Sequence, residues 1–441
     1  MKKTATAALI LGALALSGRA VAGALDEYVV KSDWFSMGGD VRVRQVGFNN
    51  IITWNSDNKA DQQNFFRVRS RLYFQALPGE TLKAYARFTN EWRGYIKPSN
   101  NVHPLRDEII LDNAYLALTA PDLNMSLTVG RQDLVYGEGF LILDGTTLDG
   151  SRTIFSDGGK LRIGVREGTD VDLLAFYNTG KQWFAINKNE DPLAPVDPPG
   201  RLDSQEIGLF GVYITDEALL VNQKIEAYYL FKYGQVSDVS PDIFPQNQIS
   251  VFGARFSGPL AEGFKYGAEA TGQLGSYGQD PQQAYGGYAH VTYDIPDVPA
   301  SLTLGAVYLS GDDPDTSNHE GWDPILARWP KWSELYVYSL LPEKDIAYWS
   351  NMQIYQAILD LEPVQKLKVM LAYQYLRANE EVDGPVFGDG KERGQNPQVK
   401  VSYVFNDWLS AHVLSEYFIP GNFYSGDDDG FFARWEIMGK F

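Results

Sequence analysis

Cysteine is absent from the 441 residues of this chain. That gap excludes disulfide staples, thiolate metal centres, thiol nucleophiles and a lipid-modified cysteine together. Histidine is scarce, with only His103, His290, His319 and His412, and none lies at metal-ligand spacing of the HExxH kind. No GxSxG elbow or phosphate-binding glycine loop occurs, so the chain is expected to be no enzyme and to need no cofactor or metal. Basic residues are outnumbered, 38 Lys and Arg against 56 Asp and Glu, for a formal charge of −18. A surface of that sign argues against nucleic acid as a partner. Long apolar runs are missing as well: beyond the amino terminus nothing approaches the 18 or more residues of a spanning helix. If the chain enters a membrane, it does so as strands.

What is present begins with a leader. Lys2 and Lys3 precede an apolar run from Thr4 to Leu16 and small residues ending Ala20-Val21-Ala22, the pattern of a secretory signal peptide cut after Ala22, with Ala24 as the alternative site. Removing it takes away Lys2, Lys3 and Arg19 and leaves a mature charge of about −21 by formal counting. The expected organisation is therefore residues 1–22 as signal peptide, 23–37 as a short periplasmic segment, and 38–441 as one unit that no Pro/Ser-rich linker divides.

That unit breaks into eighteen short stretches of alternating polarity, from 38–48 to 430–441 and including 263–275, 284–294 and 347–361. The clearest runs from Phe66 to Ala76. Phe66, Val68, Ser70, Leu72, Phe74 and Ala76 share one face, and Arg67, Arg69, Arg71, Tyr73 and Gln75 share the other. Period two means strand. An arginine on the lipid face at mid-membrane costs about 2–4 kcal/mol, so three on one parity fix the register and point to a water-filled interior. The connections are read as alternating strictly between very short and long, the habit of outer-membrane barrels with short periplasmic turns. The fold class expected is all-β: a transmembrane, antiparallel, up-and-down β-barrel of about 18 strands in the bacterial outer membrane, both termini periplasmic. Among the 10 Trp, 26 Tyr and 23 Phe, the residues Trp92, Tyr95, Trp349, Tyr403, Phe405 and Trp408 lie near strand ends, where interfacial aromatics belong.

Inward parity collects Arg42 and Arg44, then Arg67, Arg69 and Arg71, then Arg87, Lys160 with Arg162, and Arg434. Such a ladder suits carboxylates, because forked guanidinium donors match both oxygens and successive weak sites pass a charged chain along. The structural alternative pairs these arginines with inward Glu91, Glu206, Glu269, Glu416 and Glu436. Arg131 shares parity with outward Val129, so either a bulge at Gly130 re-aims it or it lies at the rim. Acidic turns at Ser310–Asp315 and Ser425–Gly430 are read as solvated loops rather than calcium sites. His412 and Glu416 share one inward parity, which a wall hydrogen bond explains as well as a proton-transfer pair does.

Several segments, in order, resemble the alginate export family of outer-membrane porins. They are Gly130-Arg131-Gln132, Arg152 to Gly158, Glu269 to Gly275, Ser310-Gly311-Asp312, and Phe418 to Phe423. The likeness covers residues 38–441. It implies an 18-stranded monomeric barrel with an arginine-rich lumen that passes an anionic uronic-acid polysaccharide. Two departures stand out: Ser156 separates Phe155 from Asp157, and the segment after Asp312 is rich in tryptophan (Trp322, Trp329, Trp332). All expected periplasmic turns are short, so a plug is expected from an outer loop, 311–346. The ligand-contact residues expected are Arg67, Arg69 and Arg71, extended by Arg42, Arg44, Arg87, Arg162, Arg131 and Arg434. The partners expected are an anionic oligo- or polysaccharide, outer-membrane lipid and lipopolysaccharide, and a periplasmic secretion or uptake partner. The rival readings are a general diffusion porin for small anionic solutes and a secreted all-β binding or carbohydrate-degrading protein.

Overall fold

A computed structural model describes residues 30–98, 109–143, 156–178, 185–186, 205–237, 240–328 and 331–441. The expected leader and the first part of the 23–37 segment lie outside them, as do His103 and Trp329.

Eighteen long strands carry the fold. They are β1 Phe35–Asn49, β2 Gln63–Ala76, β3 Leu82–Lys97, β4 Ile109–Ala120, β5 Met125–Gln132, β6 Ser156–Arg166, β7 Thr169–Asn178, β8 Ile207–Asp216 and β9 Lys224–Gly234. Then follow β10 Asn247–Ala261, β11 Phe264–Tyr277, β12 Asp280–Asp294, β13 Ala300–Leu309, β14 Met352–Val364, β15 Leu367–Arg377, β16 Glu392–Asn406, β17 Leu409–Pro420 and β18 Gly430–Lys440. Each pairs antiparallel with the next in chain order, and β18 returns to β1 with Asp40 opposite Lys440 and Asn49 opposite Phe431. Closure leaves no edge, which is what a sheet needs to satisfy its backbone in lipid. Among the described residues helix is confined to single turns such as Tyr336–Ser339.

The outer surface is apolar at every second residue. Leu116 and Leu118 on β4, Leu127 and Val129 on β5, Leu302 and Leu304 on β13, and Val399, Val401 and Tyr403 on β16 are all exposed. On a soluble protein such a belt would be an aggregation liability; around a barrel it is the lipid face. Tyr403, Phe405 and Trp408 are exposed near the short-turn end, as interfacial residues should be. Trp349 is not: it is 1% exposed and packs inside, against Trp332 and Tyr336.

Two expectations need correction. Strict alternation of short and long connections fails between β11 and β12, where Gly278–Gln279 alone makes the turn at the long-loop end. Gly278 takes φ +62°, as a two-residue hairpin demands. The pairing runs on to Tyr277 and Asp280, further than the apolar pattern suggested. The strand expected from 347 begins instead at Met352, because Ala347 and Asn351 have left-handed backbone and belong to the preceding loop.

That loop, 310–351, enters the barrel. Trp322, Ile325, Leu326, Leu335, Tyr336, Val337, Leu340 and Trp349 join wall residues such as Leu230, Val251, Ile354 and Phe418 in one buried cluster. Residues 133–143 follow it inward through Leu134, Phe140, Leu141 and Ile142, and Ile142 bridges Leu326. The loop sets out along the raised ends of β11 and β12: His319 N donates to Pro281 O at 2.9 Å and Gln283 N to His319 O at 3.0 Å. The interior holds a packed plug, drawn from the loop from which a plug was expected.

Candidate functional site

The register of β18, β1, β2 and β3 builds the arginine wall. Arg44 lies opposite both Arg67 and Glu436, Arg42 opposite Arg69, Arg69 also opposite Glu91, and Asp40 opposite Arg71. Facing guanidinium groups repel, and interleaved carboxylates resolve the conflict. Glu91 accepts from Arg42 Nη2 at 3.0 Å and Arg67 Nε at 2.6 Å. Glu436 accepts from Arg44 Nε at 2.8 Å, with Arg42 Nε at 3.8 Å. Asp40 accepts from Arg69 Nη2 at 3.2 Å and Arg71 Nε at 2.7 Å. Each carboxylate thus bridges two guanidinium groups, the arrangement that makes burial of Arg42, Arg44 and Arg69 affordable.

Arg87 stands apart, donating through Nε to Asp112 at 2.9 Å and through Nη1 to Asp133 at 3.0 Å. Asp112 is the extra residue of a bulge between the Arg87–Asn113 and Phe88–Leu111 pairs. Arg131, after Gly130 at φ +125°, is buried, forks onto both oxygens of Asp157 at 2.7 Å and donates to Leu111 O at 3.0 Å. It clamps β4, β5 and β6 together. Arg162 is half-exposed and pairs with Asp170. Arg434 tops the ladder: it lies opposite Val46, one inward step above Arg44, and meets Glu334 of the plug at 2.6 Å. The structure therefore brings seven of the nine expected arginines onto the wall of β18, β1, β2 and β3: Arg42, Arg44, Arg67, Arg69, Arg71 and Arg434 form the ladder, and Arg87, diagonal to Arg71, pairs with Asp112 and Asp133 instead. It sets Arg131 and Arg162 on β5 and β6.

Of the carboxylates expected as partners, Glu91 and Glu436 serve. Glu206 accepts instead from Tyr177 Oη, Glu269 from Tyr228 Oη, and Glu416 from Ser333 Oγ at 2.5 Å and Glu334 N at 2.8 Å. His412 accepts from Arg434 Nε at 3.2 Å and has no bond to Glu416. The acidic turns are tied into loops: Asp312 receives His319 Nδ1 and Glu320 N within its own, and Asp428 receives Ser56 N from the loop between β1 and β2.

Across the barrel, Tyr136 tilts against Tyr213 with centroids 4.3 Å apart, and Tyr213 stacks on Tyr228 at 5.3 Å. A cavity of about 240 Å³ lies beside them between plug and wall, lined by Glu138, Tyr288, His290, Lys331, Trp332 and Gln374. Burial raises the Glu138 carboxyl, but hydrogen bonds from His290 and Arg255 outweigh it and bring it to about 2. Burial drags Lys331 down to about 8. Sequence reading missed Lys232, Arg255 and Arg393. Lys232 shares its inward face with Glu226, Tyr228 and Leu230, and Arg255 shares its with Asn247, Ile249 and Val251, so neither belongs to a run of arginines; Arg393 lies three residues before 396, where that strand was expected to start.

A closed 18-strand barrel with an apolar belt, one end of short turns and loops folded into its bore is an outer-membrane porin. The alginate export family profile matches residues 33–431, and the chain belongs to that family. Solved structures agree on the fold. A BenF-like porin from Pseudomonas fluorescens Pf-5 superposes with a TM-score of 0.58 at 12% identity, covering 92% of this chain and 98% of its own. Pseudomonas aeruginosa OpdQ gives 0.57 at 13%, over 92% and 97%. Pseudomonas aeruginosa OccK2 (OpdF), solved in complex with glucuronate, gives 0.54 at 13%, also over 92% and 97%. No curated protein sequence matches.

Proposed function

We propose that this barrel conducts anionic oligo- or polysaccharides, uronate-rich chains of the alginate type, along its arginine wall. The observation that carries the reading is the register-locked ladder, in which Arg434, Arg44, Arg42 and their partners on β2 succeed one another along the barrel axis. A uronate carboxylate engages a guanidinium fork bidentately, and exchange with the bridging Glu91, Glu436 and Asp40 keeps each site weak enough to leave. Membership of the alginate export family supports the same substrate class. In this reading the short-turn end and both termini face the periplasm, the barrel works as a monomer, and it performs no reaction of its own. Arg87, Arg131 and Arg162 hold the wall together rather than touch the ligand.

One observation favours a second reading, passage of small anionic solutes. The cavity beside the plug is the size of a single sugar, and the OccK2 structure holds glucuronate, a monosaccharide. Single-channel recording separates the two. Polyuronate is expected to interrupt the current at low concentration while glucuronate does so only weakly, and Arg67→Glu with Arg69→Glu is expected to abolish the interruption while conductance persists. Interruption that survives in that variant removes the polysaccharide reading.

A further inference from the structure

Among the described residues, the loops 133–143 and 310–351 meet the wall through ion pairs of a single polarity. Asp323 holds Lys232 of β9 at 2.6 Å, with both side chains buried. Glu138 holds Arg255 of β10 at 2.9 Å and approaches His290 of β12 at 3.1 Å. Glu334 holds Arg434 of β18 at 2.6 Å, and Glu343 holds Arg393 of β16 at 2.7 Å. Each time the carboxylate belongs to a loop and the cation to the barrel. Loop cations go elsewhere: Arg328 binds Asp345 within the same loop, and Lys331 donates to the carbonyl of Glu138. Where a wall carboxylate does meet the plug, at Glu416, it receives the neutral donors Ser333 Oγ and Glu334 N.

This polarity has a chemical consequence. Withdrawing the loop carboxylates takes the counter-ion from buried Lys232 and Arg393 and leaves Arg255 with Glu226 of β9 and Arg434 with the neutral partner His412 in place of a carboxylate, which is unfavourable unless another anion arrives. We propose that Lys232, Arg255, Arg393 and Arg434 are carboxylate-binding subsites for the transported polyanion, and that Asp323, Glu138, Glu343 and Glu334 occupy them as stand-ins until it arrives. Resting on the polyuronate reading above, this adds what that reading lacks: subsites beyond the ladder, Lys232 and Arg255 on the far side of the bore and Arg393 on β16, and a reason for the plug to yield to one class of solute. A ligand shifts an equilibrium only by its differential affinity for the two states. The docked loops withhold all four cations, whereas the withdrawn loops present them, so a polyanion drives withdrawal and a neutral chain of the same length does not. Arg434 links the new subsites to the old, because it continues the ladder one step, about 7 Å, above Arg44.

The test uses the full-length protein in detergent and in planar bilayers, with hexagalacturonate as the polyanion and maltohexaose as the neutral control. Combining Glu138→Gln, Asp323→Asn, Glu334→Gln and Glu343→Gln removes the stand-ins and leaves every wall cation in place. Hexagalacturonate is then expected to bind about tenfold tighter than to the parent, since the cost of displacing the loops has been removed. Openings without ligand should become more frequent, and maltohexaose should change nothing in either protein. Equal or weaker binding by the variant overturns the proposal. If the parent binds hexagalacturonate, Arg67→Glu with Arg69→Glu loses that binding and the loop variant gains nothing, the channel assignment stands and the stand-in idea falls. If the parent does not bind it, both fall. Should the fourfold variant fail to fold, Glu334→Gln alone is expected to gain about threefold, and no gain overturns the proposal equally.

Discussion

Trp349→Ala separates the plug from the barrel that holds it. The indole is 1% exposed, lies edge-on to Trp332 at 5.0 Å and tilts against Tyr336 at 6.3 Å, all three from the loop 310–351. Truncating a buried tryptophan costs about 3–5 kcal/mol. Here that loss falls on the docked loop, since the strand ladder from β1 to β18 does not involve residue 349. At about 1.4 kcal/mol per factor of ten, the ratio of withdrawn to docked loop should rise roughly 100- to 4000-fold. Single-channel recording reads that ratio as open-state occupancy, while circular dichroism in detergent follows thermal unfolding of the sheet. The expected result is a large gain in occupancy with the barrel transition in place. Unchanged occupancy on an intact barrel would refute the idea that the loop is a separable, packed plug, and so would a fall in barrel stability that matches the calculated cost.

Two further predictions follow from the same geometry. Burial brings the Lys331 and Lys344 ammonium groups down to about 8 in the docked plug, whereas a solvated lysine keeps its proton to about 10.4. The withdrawn loop therefore binds more protons between those values, so docking strengthens as pH rises through that window and spontaneous openings should become rarer from pH 7 to 9.5. Glu138 acts in the opposite range: its value of about 2 against an ordinary 4.5 gives a contribution present above 4.5 and lost as pH falls toward 2. Acidification should open the channel, and an opening frequency that is flat across pH would contradict both signs. Gly130→Ala should destabilise the β4–β5 seam by about 1–3 kcal/mol. Gly130 has φ +125°, and an added Cβ would lie 2.2 Å from the carbonyl oxygen of Ala114. A denaturant midpoint in detergent equal to that of the parent would show that the seam relaxes at no cost.

The staves of the barrel were legible because each is a short alternating run whose register is policed by the cost of placing Arg67, Arg69 or Arg71 in hydrocarbon. The inward direction of Arg42, Arg44 and Arg434 followed from the same parity. What periodicity does not carry is partnership across the bore. Asp323 meets Lys232 across 91 residues of chain, and Glu343 meets Arg393 across 50; neither contact leaves a pattern in the local sequence. Trp349 was misplaced for a related reason. Near a strand end a tryptophan looks the same whether it faces lipid headgroups or the middle of a plug, and only the long-range packing of 310–351 decides. The turn at Gly278–Gln279 was missed because polar residues such as Gln282 and Gln283 ended the apolar pattern before the hydrogen-bond ladder ended.

That turn joins strands of 14 and 15 residues beside a third of 15, while β5 has only 8. At about 3.3 Å per residue and a tilt near 40°, the long strands climb about 36 Å and β5 about 20 Å, against an apolar belt of about 25 Å. The rim is thus uneven: a parapet here and a second over β1, β2 and β3, with 15, 14 and 16 residues, stand roughly 10 Å clear of the hydrocarbon. Their backbone amides should resist deuterium exchange although they stand in water. His319 is stitched to the top of the first buttress, so the first third of the loop is moored to masonry that cannot bend, and any swing of the stopper must hinge further along.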